Sequence, residues 1–221
     1  MSRTLYWGSG SGASWRALLG LLVKGLDYES RRLNPSKRDQ KQPEYLAINP
    51  RGTFPTLCDS ELVVRDSMAI LHYLDAAYPE PPIFGSTPAE TALVAQQCAE
   101  LSDYLIPALG GFIRPLFRGR IDGNEEAIAA CLVTIHEELA PIEEVLERSA
   151  WLAGDVISAA DIVLFPEIQR ALRAATREGA DQFEHGMTNF DARYPALARW
   201  VAGIEALPNY QETYPPHWRT S

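Results

Sequence analysis

Cysteine is scarce in this chain and never sits at redox- or metal-motif spacing. Cys58, Cys98 and Cys131 stand apart, with no CxxC and no histidine placed to complete a zinc set. That argues against a disulfide-stapled scaffold and a zinc module, and makes reduced thiols in a cytoplasmic protein the simplest expectation. Long hydrophobic runs are also missing. The apolar stretch 17–23 is far shorter than the roughly 20 residues needed to span a bilayer, and Met1 leads into a short strand-like segment without a signal peptide's apolar core. No membrane partner is expected. Concentrated positive charge is the third shortage: the net charge is -9 and no basic cluster exceeds Arg31-Arg32. A nucleic-acid backbone is therefore excluded as the main partner, while a local basic pocket for a small anion is not. What remains is an ordinary globular composition, 46% hydrophobic and 22% charged over 221 residues, enough for two small domains with real cores.

The periodicities divide the chain. Residues 4–7 read as a strand, followed by the loop Gly8-Ser9-Gly10-Ser11-Gly12 and a helix from about Ala13 with Trp15, Leu18, Leu19, Leu22 and Val23 inward, stopped at Gly25. Residues 28–33 suit a second strand, and strand–helix–strand favours a parallel pair. A polar stretch over 34–44 reads as loop and short helix. Residues 56–58 and 62–64 flank a tight Asp59-Ser60-Glu61 turn, and a helix follows over 67–78. The order βαβ, helical connection, ββα predicts a mixed sheet with helices packed on it. Pro79-Glu80-Pro81-Pro82 breaks the pattern, and beyond it every periodic segment is helical, the longest running from Ile128 to Leu146. The expected organisation is α+β: a sheet domain over 1–80, a linker over 81–90 and an all-helical domain over 91–221.

Three features of the first domain converge on a small-molecule site. The serine-glycine loop enters a helix, where unpaired amides and the dipole stabilise an anion or thiolate, and Ser9, Ser11 and Ser14 are candidate hydroxyl donors to it. Ser11 or Ser14 as an ordinary cap is the competing reading. In Asn49-Pro50-Arg51-Gly52-Thr53-Phe54-Pro55-Thr56-Leu57 a proline directly precedes a strand, and proline is tolerated at a strand's first residue. Asp66-Ser67 offers a carboxylate, a hydroxyl and an amide at a second helix start, which suits the two ends of an amino acid. In the helical domain Phe112, Arg114, Phe117 and Arg118 are candidates for the open side of a cleft, although aromatic groups there are more often core. No metal site is indicated.

In their order and spacing these motifs resemble the cytosolic glutathione transferase superfamily. The resemblance rests on Asn49-Pro50, Phe54-Pro55-Thr56-Leu57 and Asp66-Ser67-Met68-Ala69-Ile70, and on Gly154-Asp155-Val156-Ile157-Ser158-Ala159-Ala160-Asp161 in the second domain. It extends through Tyr194-Pro195 and Trp200. Ser11-Gly12-Ala13-Ser14-Trp15-Arg16 is most similar to the serine-using zeta branch, which includes maleylacetoacetate isomerases, although glycine and alanine stand where that branch has serine and cysteine.

The resemblance implies a thioredoxin-like first domain and an all-α second domain, with glutathione as co-substrate and a small electrophile as second substrate. By position it assigns thiol activation to Ser11, with Tyr6 as a rival, and a cis bond to Pro55. It assigns glutathione binding to Gln40, Phe54, Pro55, Asp66 and Ser67, with Lys41 and Gln42 as rivals of Gln40. The second-substrate pocket would include Arg173. A cytoplasmic homodimer engaged in conjugation, isomerisation or detoxification is the corresponding expectation. The alternative is a non-catalytic glutathione-binding or assembly module, since a fold does not fix a function. Ser158 and Asp161 form an S-x-x-D capping box and are expected to serve folding, not chemistry.

Overall fold

The computed structural model describes residues 3–219. Four strands, β1 (Arg3–Gly8), β2 (Glu29–Leu33), β3 (Thr56–Asp59) and β4 (Leu62–Arg65), form one sheet in the order β2-β1-β3-β4. β1 and β2 are parallel, joined across α1 (Gly12–Val23), whereas β3 runs antiparallel to both of its neighbours. The short α2 (Pro43–Ile48) lies between β2 and β3, and α3 (Ser67–Ala77) follows β4. Alternation along β1 buries Leu5 and Trp7 on one face and leaves Tyr6 on the other, against Tyr45 of α2 at 5.5 Å between ring centres. Helices α1 and α3 pack together at Gly20, where a Cβ would fall 2.4 Å from Leu71 Cδ2. That close approach buries Ala17, Leu18, Leu19, Gly20 and Leu21, whereas the expected Leu22 and Val23 are only half-buried.

By packing, the chain forms two units: Met1–Ile83 with Pro208–Ser221, and Phe84–Leu207. Residues 208–219 thus belong with the sheet, not with the helices that the sequence pattern joins them to. Their anchor is Trp15 on α1, whose indole N–H donates to Thr213 Oγ1 at 3.1 Å and whose ring meets Trp218 edge-on at 5.6 Å. Thr213 closes α10 (Tyr210–Thr213).

The second unit is helical: α4 (Pro88–Glu100), a π-helical turn Leu101–Leu105, α5 (Ile106–Arg118), α6 (Glu125–Arg148), α7 (Ala159–Ala174), α8 (Phe190–Arg193) and α9 (Pro195–Glu205). Asp161 is its buried polar pivot. One carboxylate oxygen accepts the Leu152 amide at 2.9 Å and the Trp200 indole at 2.8 Å, and the other accepts the Ser158 amide and hydroxyl at 2.7 and 2.8 Å. Burial pushes this carboxyl above its ordinary range despite all four bonds. Every partner is a structural group of the unit. No helix among the described residues is long and apolar enough to cross a membrane.

Candidate functional site

Strand pairing brings four chain segments to one edge of the sheet. Gly8 pairs with Leu33, Tyr6 with Thr56, and Thr56 with Arg65. The ends of β1, β2 and β4 and the beginning of β3 therefore share that edge. The segments leaving it are residues 9–11, residues 34–37, Phe54 with Pro55, and Asp66 with Ser67.

The candidate hydroxyls there are not equivalent. Ser14 is fully buried and its Oγ accepts the Gly8 amide at 3.0 Å, tying α1 to the end of β1. Ser9 Oγ shares a 2.7 Å hydrogen bond with His217 Nδ1. Tyr6 lies inside β1 on the α2 side. Ser11 is the N-cap of α1: it is extended, and its Oγ accepts the Ser14 amide at 3.2 Å while its carbonyl accepts Trp15 N–H at 2.9 Å. Accepting that bond leaves the Ser11 proton free to be donated, and no acceptor takes it among the described residues. The amides of Gly12 and Ala13 are likewise unclaimed, as the first donors of a helix are. No acidic side chain occupies the first turn to compete for them. The arrangement suits an ionised sulfur.

Across the β1 end lies a rigid extended segment. Asn49 is buried and its side-chain amide donates to Thr53 O at 2.8 Å and Thr56 Oγ1 at 3.0 Å, while its Oδ1 accepts Arg51 N–H at 3.1 Å. Tyr45 Oη donates to Thr53 O at 2.5 Å. Gly52 has φ +56°, and a Cβ there would lie 2.7 Å from Gln40 O, so the Gln40 turn is pressed against this loop. Lys41 Nζ is already committed to Arg51 O at 3.0 Å, whereas Gln40 Oε1 is buried without a partner. The Phe54–Pro55 bond is cis. The Phe54 ring covers the end of β1, where a Cβ on Gly8 would sit 2.4 Å from it. The main-chain N–H and C=O of Phe54 have no partner among the described residues.

Asp66 completes the edge. It caps α3 through Oδ1, which accepts Met68 N–H at 2.8 Å and Ala69 N–H at 3.4 Å. Its φ of +80° with ψ 138° is a conformation that side chains with a Cβ rarely adopt, with a cost of about 1–3 kcal/mol. Its other carboxylate oxygen stays exposed and unbonded, with Ser67 buried beside it.

Thus Ser11, Gln40, Phe54, Pro55, Asp66 and Ser67 all lie in the first unit. Arg173 and Phe112 lie in the second. Arg173 is half-buried near the end of α7. Phe112 is 0% exposed on α5, with its ring 5.7 Å from that of His185. It packs the helical core, which corrects its expected place on an open cleft face. Sequence reasoning missed the scaffold role of Tyr45 and the approach of His217 to Ser9. The first had no motif, and the second joins residues far apart in the chain.

A mixed sheet of this order, with a proline opening β3 and two helix starts gathered at the same edge, is a thioredoxin-like domain, here accompanied by an all-helical one. Family models agree with both parts: "Glutathione S-transferase, N-terminal domain" matches residues 5–82 and "Glutathione S-transferase, C-terminal domain" matches residues 125–203. Glutathione S-transferase Z2 of Arabidopsis thaliana is 32% identical, over 95% of this chain and 88% of that protein. The maleylacetoacetate isomerase of Pseudomonas aeruginosa is 31% identical, over 85% of this chain and 90% of its own. The crystal structure of a glutathione S-transferase from the Antarctic clam Laternula elliptica superposes with a TM-score of 0.84 at 30% identity, covering 100% of this chain and 95% of that one. The chain belongs to the glutathione S-transferase family, with its affinity to the zeta class. Membership makes it a glutathione transferase-type enzyme with glutathione as co-substrate.

Proposed function

We propose that the enzyme holds the glutathione sulfur as a thiolate at the Ser11 hydroxyl and directs it at a small electrophile. The observation that carries this reading is the uncommitted proton of Ser11, beside the free amides of Gly12 and Ala13. Ser11 donates to the sulfur and the start of α1 adds positive potential. Lowering a thiol pKa by about one to two units corresponds to about 1.4–2.7 kcal/mol. A charge-assisted hydrogen bond supplies about 1.5–3 kcal/mol and a helix start about 0.3–1, so the two together suffice.

The other residues bind and orient. The free N–H and C=O of Phe54, ahead of Pro55, pair with the cysteinyl backbone, and Gln40 takes a peptide group. Asp66 and Ser67 hold the γ-glutamyl end, the exposed carboxylate oxygen taking its amino group. Arg173 serves the second substrate, where a guanidinium matches a carboxylate. Displacement of a leaving group by the sulfur gives conjugation; addition to a double bond, rotation and release gives cis–trans isomerisation with glutathione regenerated. The protein acts in the cytoplasm as a homodimer, for which the edge strand β4, with Leu62 46% exposed, is a candidate contact.

Purified protein assayed with a chlorodinitro aromatic and with a maleylacetoacetate-like diacid tests the reading. Turnover of either, dependent on glutathione, is expected. Retention on immobilised glutathione with no turnover across an electrophile panel overturns it in favour of a binding module.

A further inference from the structure

The loop that carries Ser11 has little of its own to hold it. Gly8, Gly10 and Gly12 alternate with the two serines, and glycine gives up the most conformational freedom when it is ordered. Gly8 O accepts the Ser11 amide at 3.2 Å, closing a four-residue turn in which Gly10 takes φ +78°. Ser14 on α1 ties the start of that turn by accepting the Gly8 amide at 3.0 Å. Among the described residues, one side chain from outside the loop and α1 forms a hydrogen bond to this turn. It is His217, whose Nδ1 lies 2.7 Å from Ser9 Oγ.

The turn is also hemmed in by rings on two sides. A Cβ on Gly8 would fall 2.4 Å from the Phe54 ring, and one on Gly10 would fall 2.9 Å from His217 Cε1. The imidazole is carried on a braced segment. The Trp15 ring meets Tyr214 and Trp218 edge-on at 5.8 and 5.6 Å, those two meet each other at 5.9 Å, and the Trp218 amide donates to Pro215 O at 2.9 Å. Trp15 is also the residue whose own amide donates to Ser11 O at 2.9 Å. The segment therefore grips the chain before Ser11, at Ser9 and Gly10, and after it, at Trp15. The Ser11 hydroxyl itself is left untouched.

We propose that His217 is a positioning residue for the transferase reaction. Through Ser9 it holds the turn from Gly8 to Ser11 so that the Ser11 hydroxyl and the amides of Gly12 and Ala13 converge on the sulfur. The tie serves in either tautomer, with Ser9 donating to Nδ1 or accepting from it. An exposed hydrogen bond adds little to global stability, but its place gives it leverage. A donor held out of line bonds weakly, and small misplacements at a reacting centre are costly. The inference rests on the thiol-activation reading given above.

The test is a double-mutant cycle over Ser9→Ala and His217→Ala, read in kcat, in the glutathione KM and in the ultraviolet thiolate absorbance of bound glutathione. Each single variant is expected to lower kcat about fivefold, the size of one net hydrogen bond, with the absorbance falling and KM nearly unchanged. The double variant loses no more than either single one, because both remove the same tie. His217→Asn, whose side-chain amide stands where Nδ1 stood, recovers most of the loss. Unchanged kcat and absorbance in His217→Ala overturn the proposal. So do single losses that multiply in the double variant, which would give Ser9 and His217 separate roles, and so does a raised glutathione KM with kcat kept. Amide hydrogen exchange followed by NMR in the ligand-free protein reads the tie without chemistry, and the Ser11 amide is expected to exchange faster in His217→Ala. Faster exchange, together with a Ser11→Ala variant that keeps its thiolate, preserves the tie and sinks activation by Ser11. Unchanged exchange with a thiolate that depends on Ser11 does the reverse.

Discussion

The two ends of the same four-stranded sheet carry similar residue types and treat them in opposite ways. At the end where β1 begins and β3 stops, Asp59 accepts Tyr78 Oη at 2.7 Å and both Arg3 Nε and Tyr73 Oη at 3.1 Å, and Arg3 also donates to Asp27 O at 2.8 Å. In the same unit the Lys24 ammonium, its side chain 0% exposed, donates to Asp75 at 2.5 Å, to Tyr78 O at 2.8 Å and to Pro81 O at 2.6 Å, using all three protons. At the other end the Ser11 proton, the amides of Gly12 and Ala13, the Phe54 main chain and Gln40 Oε1 are unclaimed, and Asp66 is strained. Buried polar groups that satisfy one another hold a fold together; polar groups held rigidly but left unsatisfied define where a ligand completes the set.

Breaking the satisfied end costs stability and spares chemistry. Lys24→Ala leaves Asp75 without its cation and is expected to lower unfolding free energy by about 3 kcal/mol in urea titrations, while turnover per folded molecule stays unchanged. A loss of turnover in the folded fraction would dissolve the division of labour. At the open end, Ser11→Ala is expected to lower kcat/KM by about ten- to a hundredfold, equivalent to about 1.4–2.7 kcal/mol, with only about 1 kcal/mol of capping stability lost. The ultraviolet thiolate absorbance of bound glutathione near neutral pH reads the same effect directly; if the alanine variant keeps it, Ser11 is not the activator.

Asp66→Asn keeps a capping oxygen and removes a charge, so the glutathione KM should rise several-fold, about 1 kcal/mol, with melting nearly unchanged. The mildest effect is confined to acid. Burial raises the Asp59 carboxyl, but hydrogen bonds from Tyr78, Arg3 and Tyr73 outweigh it and hold the group below its ordinary range. Its contribution is therefore present above the unfolded value of about 3.9 and is lost as pH falls through the lower folded value. Wild type and Asp59→Asn should differ in unfolding free energy at pH 6 and converge in stronger acid. A gap that widened on acidification would contradict the assigned sign.

The architecture was legible where structure is local. The order of strands and helices in the first unit follows from period and breakers, and the observed β3, β4 and α3 lie within a residue or so of their expected spans. Burial on α1 was less legible, because Gly20 faces Leu71 of α3 and invites packing around a side that the apolar stripe alone does not mark. The π turn between α4 and α5 left no trace in a pattern of leucines. Phe112 was ambiguous in sequence, since an aromatic on an amphipathic helix packs a core or lines a cleft with the same spacing.

By itself the amino-acid order determined a serine-bearing helix start, a proline-led strand and an aspartate cap, because each depends on neighbours a few residues away. It left Ser9, Ser11 and Ser14 as rivals. Tertiary structure separated them: Ser14 is fully buried with its Oγ accepting the Gly8 amide and Ser9 Oγ is engaged with His217, whereas Ser11 is half-buried at the mouth of α1 with its proton undonated. A hydroxyl's chemistry is set by what already occupies its donor and acceptor positions, and here the decisive partner of Ser9 arrives from the far end of the chain.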